Sequence, residues 1–200
     1  MPTCYPFDMK KKIITIAGKL GSGKSSAAKS LAKDLDYRHY SSGDFFRSVA
    51  SERNLTVTEL NQAAETDPQI DIDIDEKNRQ LNNETNLVAD SRTAFHWVPD
   101  SFKVYLDIDP DTAIRRIMQD LVVNVDRQKS EEAYSGLEEA KERMLERYTS
   151  ENKRYKDLYG IDPSQHDNYS LVIDTGLPEN DLESVVNQIK DAYKKWVEDR

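Results

Sequence analysis

A glycine-rich stretch near the start of the chain has the residue types and spacing that hold a row of phosphates. In "GKLGSGKSS", Gly18 is followed after four residues by Gly23-Lys24-Ser25, which fits the pattern G-x-x-x-x-G-K-[ST]. Glycines let backbone N–H groups face a phosphate, lysine neutralises phosphate oxygens, and serine can ligate Mg²⁺. The pattern predicts an ATP-binding loop with Lys24 as a catalytic cation and Ser25 as a Mg²⁺ ligand. The loop comprises Gly18, Lys19, Leu20, Gly21, Ser22, Gly23, Lys24, Ser25 and Ser26.

Two further polar segments could bind a second phosphorylated ligand. In "ADSR", Asp90 follows an apolar run, where it could hold Mg²⁺ through water, and Arg92 could reach a phosphate. In "YSSGDFFR", a turn containing Ser42 and Gly43 precedes Arg47, which could clamp an acceptor phosphate. The alternatives are an ordinary Asp-Ser turn with an exposed arginine, and a helix cap at Ser42 followed by a solvated arginine.

Arginines are frequent in the second half of the chain, at positions Arg115, Arg116, Arg127, Arg143, Arg147 and Arg154. In a helix, the last three would share one face and could converge on one anion. Transfer of a phosphoryl group needs such positioned cations because charge develops on its oxygens. The alternative is a set of exposed ion pairs, such as Glu139 with Arg143, each worth about 0.3–0.5 kcal/mol.

The elements that must position these residues alternate between short β-rich runs and helical patterns. This alternation is typical of βαβ units around a parallel sheet. The predicted strands cover residues 13–17, 37–40, 87–89, 104–108 and 171–173. The first predicted strand ends at the phosphate loop, and Ala27, Leu31 and Leu35 then recur with helical spacing. The loop therefore lies between a strand and a helix, as its function requires.

Helical patterns fill the rest of the chain. Residues 42–83 lack a convincing central strand, and Thr56 with Glu59 forms a capping box, so this segment is predicted to be a helical insert. "IDIDID" at 70–75 alternates like a strand but also fits a helical face, and we predict a helix there. Asp109-Pro110 predicts a helix start. Further helices are predicted over 137–159 and over 182–196.

The composition favours a soluble, cytoplasmic, single-domain protein. With 200 residues and a formal charge of -9, the chain is long enough for a core and is too acidic for general binding to nucleic acid. Cys4 is the only cysteine, which excludes an internal disulfide and a four-cysteine zinc site. The first ten residues lack the apolar core of a signal peptide, and eighteen consecutive apolar residues occur nowhere, so we expect no membrane partner.

Two candidate metal sites are rejected. Asp71, Asp73 and Asp75 imitate the start of a calcium loop, but Glu76 replaces the glycine that its turn requires. The three histidines are scattered without metal-ligand spacing, so we expect packing or surface roles for His39, His96 and His166.

Taken together with the phosphate loop, these segments resemble the nucleoside monophosphate kinases, and most closely the short cytidylate kinases of archaeal type. The likeness runs from about Lys12 to Val197, and it rests on "YSSGDFFR", "AETDPQIDIDID", "DSR" and "ERYTSENKRYKDLYGID" ending with "LVIDT". The resemblance implies an α/β fold of the P-loop NTPase type, with three layers and a five-stranded parallel sheet. It divides the chain into a core (about 12–41, 84–118 and 160–200), a helical insert that binds the monophosphate (about 42–83) and a lid (about 119–159).

The resemblance also implies roles for individual residues and a monomeric state. Arg47 would bind the acceptor phosphate, and Arg92 would lie at the end of the third strand. The predicted site for the nucleoside monophosphate comprises Ser42, Gly43, Arg47, Asp90 and Arg92. The arginines around the lid would be Arg116, Arg127, Arg147 and Arg154. The chain departs from the family pattern at "MQDLVVNVDRQK", which lengthens the start of the lid, and at "FHWVPD", which follows Arg92.

The function expected from these features is the transfer of a phosphoryl group from ATP, with Mg²⁺, to a nucleoside monophosphate. CMP or dCMP is the acceptor that the resemblance implies. An AMP or UMP kinase remains an alternative, since cytosine and adenine both offer an amino donor beside a ring-nitrogen acceptor. A nucleotide-dependent switch that transfers nothing is the alternative from another class, although the chain lacks the N-K-x-D string of guanine recognition.

Overall fold

A computed structural model describes residues 12–123 and 136–199 of the chain. Five parallel strands form one sheet in the order β2-β3-β1-β4-β5. The strands are β1 (Ile13–Gly18), β2 (Arg38–Ser41), β3 (Leu87–Asp90), β4 (Phe102–Asp107) and β5 (Leu171–Asp174). Each predicted strand is present, with ends that differ from the prediction by at most two residues. The α/β fold with a five-stranded parallel sheet is thereby confirmed.

Helices connect the strands and cover both faces of the sheet. They are α1 (Lys24–Leu35), α2 (Ser42–Glu52), α3 (Val57–Ala63), α4 (Gln69–Gln80), α5 (Ala94–Trp97), α6 (Pro110–Val123), α7 (Leu137–Tyr159) and α8 (Leu182–Glu198). The "IDIDID" segment lies inside α4, so the helical prediction for it is confirmed. The burial pattern follows the helical period and not the alternation of a strand, because the neighbours Ile70 and Asp71 are both buried while Ile72 and Asp73 are both exposed.

The sheet is sandwiched between two apolar layers. β1 is buried along its whole length, as expected for a central strand covered on both faces. On one face Ile14, Leu31 and Ile189 belong to a large core that joins the sheet to α1 and α8. On the other face Ile13 and Ala94 belong to a smaller core that includes α5. These layers hold the strand ends, and with them the site, in fixed relative positions.

The insert between β2 and β3 has an apolar core of its own. Ala50 from α2, Leu60 from α3 and Ile70 from α4 meet there, all at most 2% exposed. The capping box that begins α3 is formed as predicted, with Thr56 and Glu59 each bonded to the other's backbone N–H. The three helices of the insert are therefore packed against one another.

Two helix starts are fixed by side chains close to the site. Asp109 accepts a hydrogen bond from the Thr112 backbone N–H at 2.9 Å, as its pairing with Pro110 predicted. At α2 the cap is Ser41, whose hydroxyl accepts from the Asp44 N–H at 3.1 Å. The alternative that assigned the cap to Ser42 is wrong by one residue, and the Ser42 side chain is left for another contact.

Helix α7 links the other parts of the molecule. It packs against α6 and against α3 of the insert. Of the predicted lid, 124–135 fall outside the described residues, whereas α7 matches the helix predicted over 137–159. In the described part of the chain, none of the helices combines the length and the apolar character needed to cross a membrane.

Candidate active site

The sheet order fixes where a ligand can enter. The chain runs from β1 outward to β2, returns to β3 beside β1, and then crosses to β4 on the other side. Open α/β sheets bind ligands at such a switch point, beyond the carboxyl ends of the strands. A cleft of about 530 Å³ lies at this position. Many of the predicted site residues line it: Leu20, Gly21, Gly23, Lys24, Ser25, Ser26, Ser42, Gly43, Arg47, Asp90, Arg92, Arg116 and Arg147.

Two glycines of the phosphate loop are required by close backbone contacts. A Cβ on Gly18 would lie 2.2 Å from the Leu106 carbonyl oxygen of β4, and a Cβ on Gly21 would lie 2.7 Å from that of Ala113 in α6. Both residues also adopt positive φ, at 146° and 78°. The loop therefore fits between β4 and α6 only with glycine at these positions.

The loop lysine lies in an unusual electrostatic environment. Lys24 Nζ donates a hydrogen bond to the Lys19 carbonyl oxygen at 2.8 Å. Burial, reinforced by Arg92, lowers the pKa of Lys24 to about 7, although Asp90 and Glu151 partly offset the effect. An incoming phosphate would supply the counter-charge that this ammonium lacks.

Ser25 and Asp90 are brought together from α1 and the end of β3. The Ser25 hydroxyl donates to Asp90 Oδ2 at 2.5 Å, and Asp90 is only 6% exposed. The pairing of β1 with β3 brings this carboxylate beside the phosphate loop. A hydroxyl and a carboxylate at this distance present two hard oxygen ligands to the same side of the cleft.

The segment after β2 forms a second wall of the cleft. The Ser42 hydroxyl donates to the Asp90 backbone carbonyl at 3.3 Å, which joins the start of α2 to the end of β3. Arg47 lies one turn further and forms an exposed ion pair with Asp44 on the same helix. A Cβ added to Gly43 would lie 3.7 Å from Arg47 Nη1, an ordinary van der Waals contact, so Gly43 lies directly beside this guanidinium.

A buried glutamate joins two of the cleft arginines. Arg92 Nη1 lies 2.8 Å from Glu151 Oε2, and Arg147 Nε donates to Glu151 Oε1 at 2.9 Å. The Glu151 side chain is 5% exposed. Burial opposes its ionisation, but Arg92 and Arg147 outweigh burial and hold the pKa of Glu151 below its ordinary value. The sequence prediction missed Glu151; its spacing of four from Arg147 was the available signal.

Arg116 reaches the cleft from α6. Its guanidinium donates to the Thr175 backbone carbonyl at 2.7 Å, at the end of β5. The arginine is thus held between α6 and the loop that follows β5, and it lines the same cleft as the phosphate loop.

Comparison with known proteins agrees with this arrangement. A family model described as the cytidylate kinase-like family matches residues 13–177. The chain belongs to this family. The cytidylate kinase of Haloarcula marismortui is 42% identical over 167 residues, which cover 82% of this chain and 80% of that protein. The cytidylate kinase of Natronomonas pharaonis is 37% identical over 186 residues, 90% of each chain.

Solved structures show the same fold at low sequence identity. A shikimate kinase from Bacteroides thetaiotaomicron superposes with a TM-score of 0.53 over 94% of this chain and 96% of its own, at 14% identity. This similarity shows the fold alone.

Not every arginine that the sequence prediction singled out lies in the cleft. Arg154 is 8% exposed and lies behind it, where its Nε donates to Asp71 Oδ2 at 2.7 Å and its Nη2 to Asn61 Oδ1 at 3.1 Å. Arg143 pairs with Glu139 at 2.8 Å on α7. The expected convergence of Arg143, Arg147 and Arg154 on one anion is therefore wrong for this structure, because each has a separate carboxylate partner. Arg127 lies outside the described residues.

Three residues of the phosphate loop serve its shape. Lys19 turns away from the cleft and pairs with Asp107 at 2.6 Å. The Ser22 hydroxyl donates to the Lys19 carbonyl oxygen at 2.8 Å, and the Lys19 backbone N–H donates to the Leu106 carbonyl oxygen at 3.2 Å. Gly18, Lys19 and Ser22 therefore hold the loop rather than line the cleft.

The residues rejected as metal ligands have other contacts. Asp71 pairs with Arg154, and Asp75 Oδ1 accepts a hydrogen bond from the Asn78 side chain at 2.9 Å. Two of the three aspartates are therefore buried and hydrogen-bonded to other side chains. His96 packs on Trp97 at 4.5 Å between ring centroids. Across 12–123 and 136–199, no cluster of three or more histidine, cysteine or acidic side chains could hold a metal ion.

Proposed function

We propose that this protein transfers the γ-phosphoryl group of ATP to CMP or dCMP, giving ADP and the pyrimidine nucleoside diphosphate. The observation that carries the proposal is one cleft that is lined by the phosphate-loop lysine Lys24, by Arg47 of α2 and by Arg92 after β3. Membership of the cytidylate kinase-like family supports it. A switch protein needs the phosphate loop only, whereas a kinase also needs cations that bind an acceptor.

The donor half of the proposed site is the phosphate loop. The loop N–H groups and the start of α1 would hold the β-phosphate, and Lys24 would pair with β and γ oxygens. Arg116 and Arg147 would reach the γ-phosphoryl group as its charge redistributes. Cations placed before the reaction stabilise the transition state without reorganising, which is the main source of rate in phosphoryl transfer.

Mg²⁺ fits the oxygens that Ser25 and Asp90 present. This ion usually takes one or two protein groups and completes its octahedron with phosphate oxygens and water, so a hydroxyl beside a carboxylate is a sufficient protein contribution. Ser25 would bind it directly and Asp90 directly or through water. The chemistry that such an ion supplies when bound is neutralisation of charge on the β and γ oxygens.

The acceptor half is formed by Arg47 and Arg92. Each would bind oxygens of the acceptor phosphate, Arg47 after exchanging its exposed partner Asp44 for the substrate. One acceptor oxygen would then face the γ-phosphorus in line with the bond that breaks. The bond to the β-γ bridging oxygen breaks as the new P–O bond forms, so no protein nucleophile takes part.

Water must be excluded, because its attack would hydrolyse ATP. We assign this task to the insert (about 42–83) and the lid (about 119–159), which would close over the two substrates. The apolar core of the insert supports its movement as a unit. Closure would also strengthen the charge interactions inside the cleft.

The experiment is a coupled assay of ADP formation from ATP with each of CMP, dCMP, UMP, AMP and GMP. We expect CMP and dCMP to give the highest kcat/KM. Activity confined to AMP or GMP would refute the pyrimidine assignment. ATP hydrolysis that is indifferent to all five acceptors would refute the kinase assignment and favour a switch.

A further inference from the structure

Glu151 is a buried anion in a region that must bind anions. Its two oxygens contact Arg92 at 2.8 Å and Arg147 at 2.9 Å, and both arginines line the cleft. A carboxylate here weakens the attraction of the cleft for phosphates, so binding alone gives no reason for its presence. We therefore look for the role of Glu151 in its effect on the positions of the two arginines.

The two arginines come from different parts of the chain. Arg92 follows β3 in the core, whereas Arg147 lies on α7. Two guanidinium groups and the Lys24 ammonium share this end of the cleft, and like charges in a partly buried space repel strongly. One carboxylate between the arginines offsets that repulsion and holds one nitrogen of each guanidinium.

The position of Glu151 is itself fixed by neighbours on α7. One residue earlier, the Ser150 hydroxyl donates to Glu65 of the insert at 2.7 Å. Three residues later, Arg154 donates to Asp71 of α4 at 2.7 Å. This turn of α7 is therefore anchored to the insert, and Glu151 extends the anchor to the core.

We propose that Glu151 is a positioning residue that orients Arg92 toward the acceptor phosphate and Arg147 toward the transferred phosphoryl group. The inference rests on the proposed function, since it assigns those two targets. Through Glu151, the acceptor insert, α7 and the core share one set of ion pairs, so that closure of the insert aligns the cations that serve both substrates.

The test is E151Q, which keeps the size of the side chain and removes its charge. We expect kcat with ATP and CMP to fall about 100-fold, the cost of a small misplacement of catalytic groups. The KM for CMP should rise, while the KM for ATP should stay within about threefold because the phosphate loop is intact. E151D, which is one methylene shorter and reaches one arginine at a time, should retain an intermediate kcat.

The matched control is E139Q, which removes the partner of Arg143 on the same helix. It should behave as wild type. The proposal is overturned if folded E151Q keeps kcat and both KM values within about twofold of wild type. It is equally overturned if E151Q lowers only the melting temperature, since a merely structural role would do that.

A second readout is independent of catalysis. The signal of the Arg147 Nε–H can be observed in ¹⁵N-arginine spectra of the ligand-free protein and assigned by its loss in R147K. We expect this proton to be protected from exchange with solvent in wild type and in E139Q. In E151Q the protection should be lost. An unchanged signal in E151Q overturns the positioning role even if the enzyme is a kinase. A protected signal in a protein that phosphorylates no acceptor would instead refute the proposed function alone.

Discussion

Lys24 is a residue whose protonation should change when its ligand arrives. Its pKa is lowered to about 7 by burial and by Arg92, against an ordinary value of 10.5. At about pH 8 the free protein therefore carries mostly neutral Lys24, and a bound triphosphate restores the charged form. Because a ligand that prefers the protonated state raises the pKa, binding must take up protons.

We predict that the protein takes up about one proton per ATP bound at about pH 8. The number of protons taken up should decrease as the pH drops below 7. Calorimetric titrations in buffers of different ionisation enthalpy measure it. K24R, which stays charged at these pH values, should abolish the uptake. An equal uptake in K24R would assign the proton to another group.

Arg47 should act on the acceptor alone. We expect Arg47→Ala to raise the KM for CMP about 10- to 100-fold, which corresponds to the loss of a charged hydrogen bond worth about 1.5–3 kcal/mol. The KM for ATP should change little. Arg53→Ala removes an exposed arginine at the end of the same helix and is the control. An effect of Arg47→Ala confined to ATP would contradict its assignment.

Among single residues, those in local motifs were predictable. The sequence pattern of the phosphate loop predicted Lys24 and Ser25. The position at the end of a predicted strand indicated Asp90 and Arg92. Glu151 was not, since its partner Arg92 is distant in sequence and the sheet alone brings them together. A charged residue on a long charged helix looks solvated until the neighbouring element is known.

Among the elements, α7 has the most consequential contacts, because it joins the insert to the core. Its Arg154 and the α4 residue Asp71 form an ion pair whose side chains are 9% and 3% exposed. Burial raises the pKa of Asp71 even though Arg154 favours its charged form, so desolvation is a substantial cost at this site. The pair therefore specifies how α4 meets α7 more than it adds net stability.

We predict that Asp71→Ala lowers the free energy of unfolding by about 3–5 kcal/mol, the usual result of leaving one member of a buried ion pair uncompensated. Urea unfolding followed by circular dichroism measures it. Asp73→Ala, on the exposed face of α4, should cost less than about 0.5 kcal/mol. Equal costs for the two variants would show that the Arg154 pair is not the cause.

The order of elements was predictable from hydrophobic periodicity and capping residues, including the ambiguous helix α4. The exact contacts of that helix were not, because "IDIDID" allows two periods and several helical faces. Its pairing with Arg154 depends on how the insert sits against α7, which is a property of tertiary packing.

At the scale of the whole molecule, an acidic chain carries a basic cleft. The formal charge is -9, yet Lys24, Arg47, Arg92, Arg116 and Arg147 face one opening. Such a distribution draws small phosphorylated molecules to the cleft while the rest of the surface repels polyanions. In the proposed function, the phosphate loop takes the triphosphate, and Arg47 and Arg92 take the acceptor.

The central claim is that the phosphate loop and the acceptor arginines act on one phosphoryl group. The most direct measurement is ³¹P NMR of the protein with ATP, Mg²⁺ and CMP, which identifies every phosphorus in the products. We predict equal amounts of ADP and CDP, with no orthophosphate beyond a background that is also present without protein. Orthophosphate released from ATP at the same rate with and without CMP, and no CDP, would contradict the account.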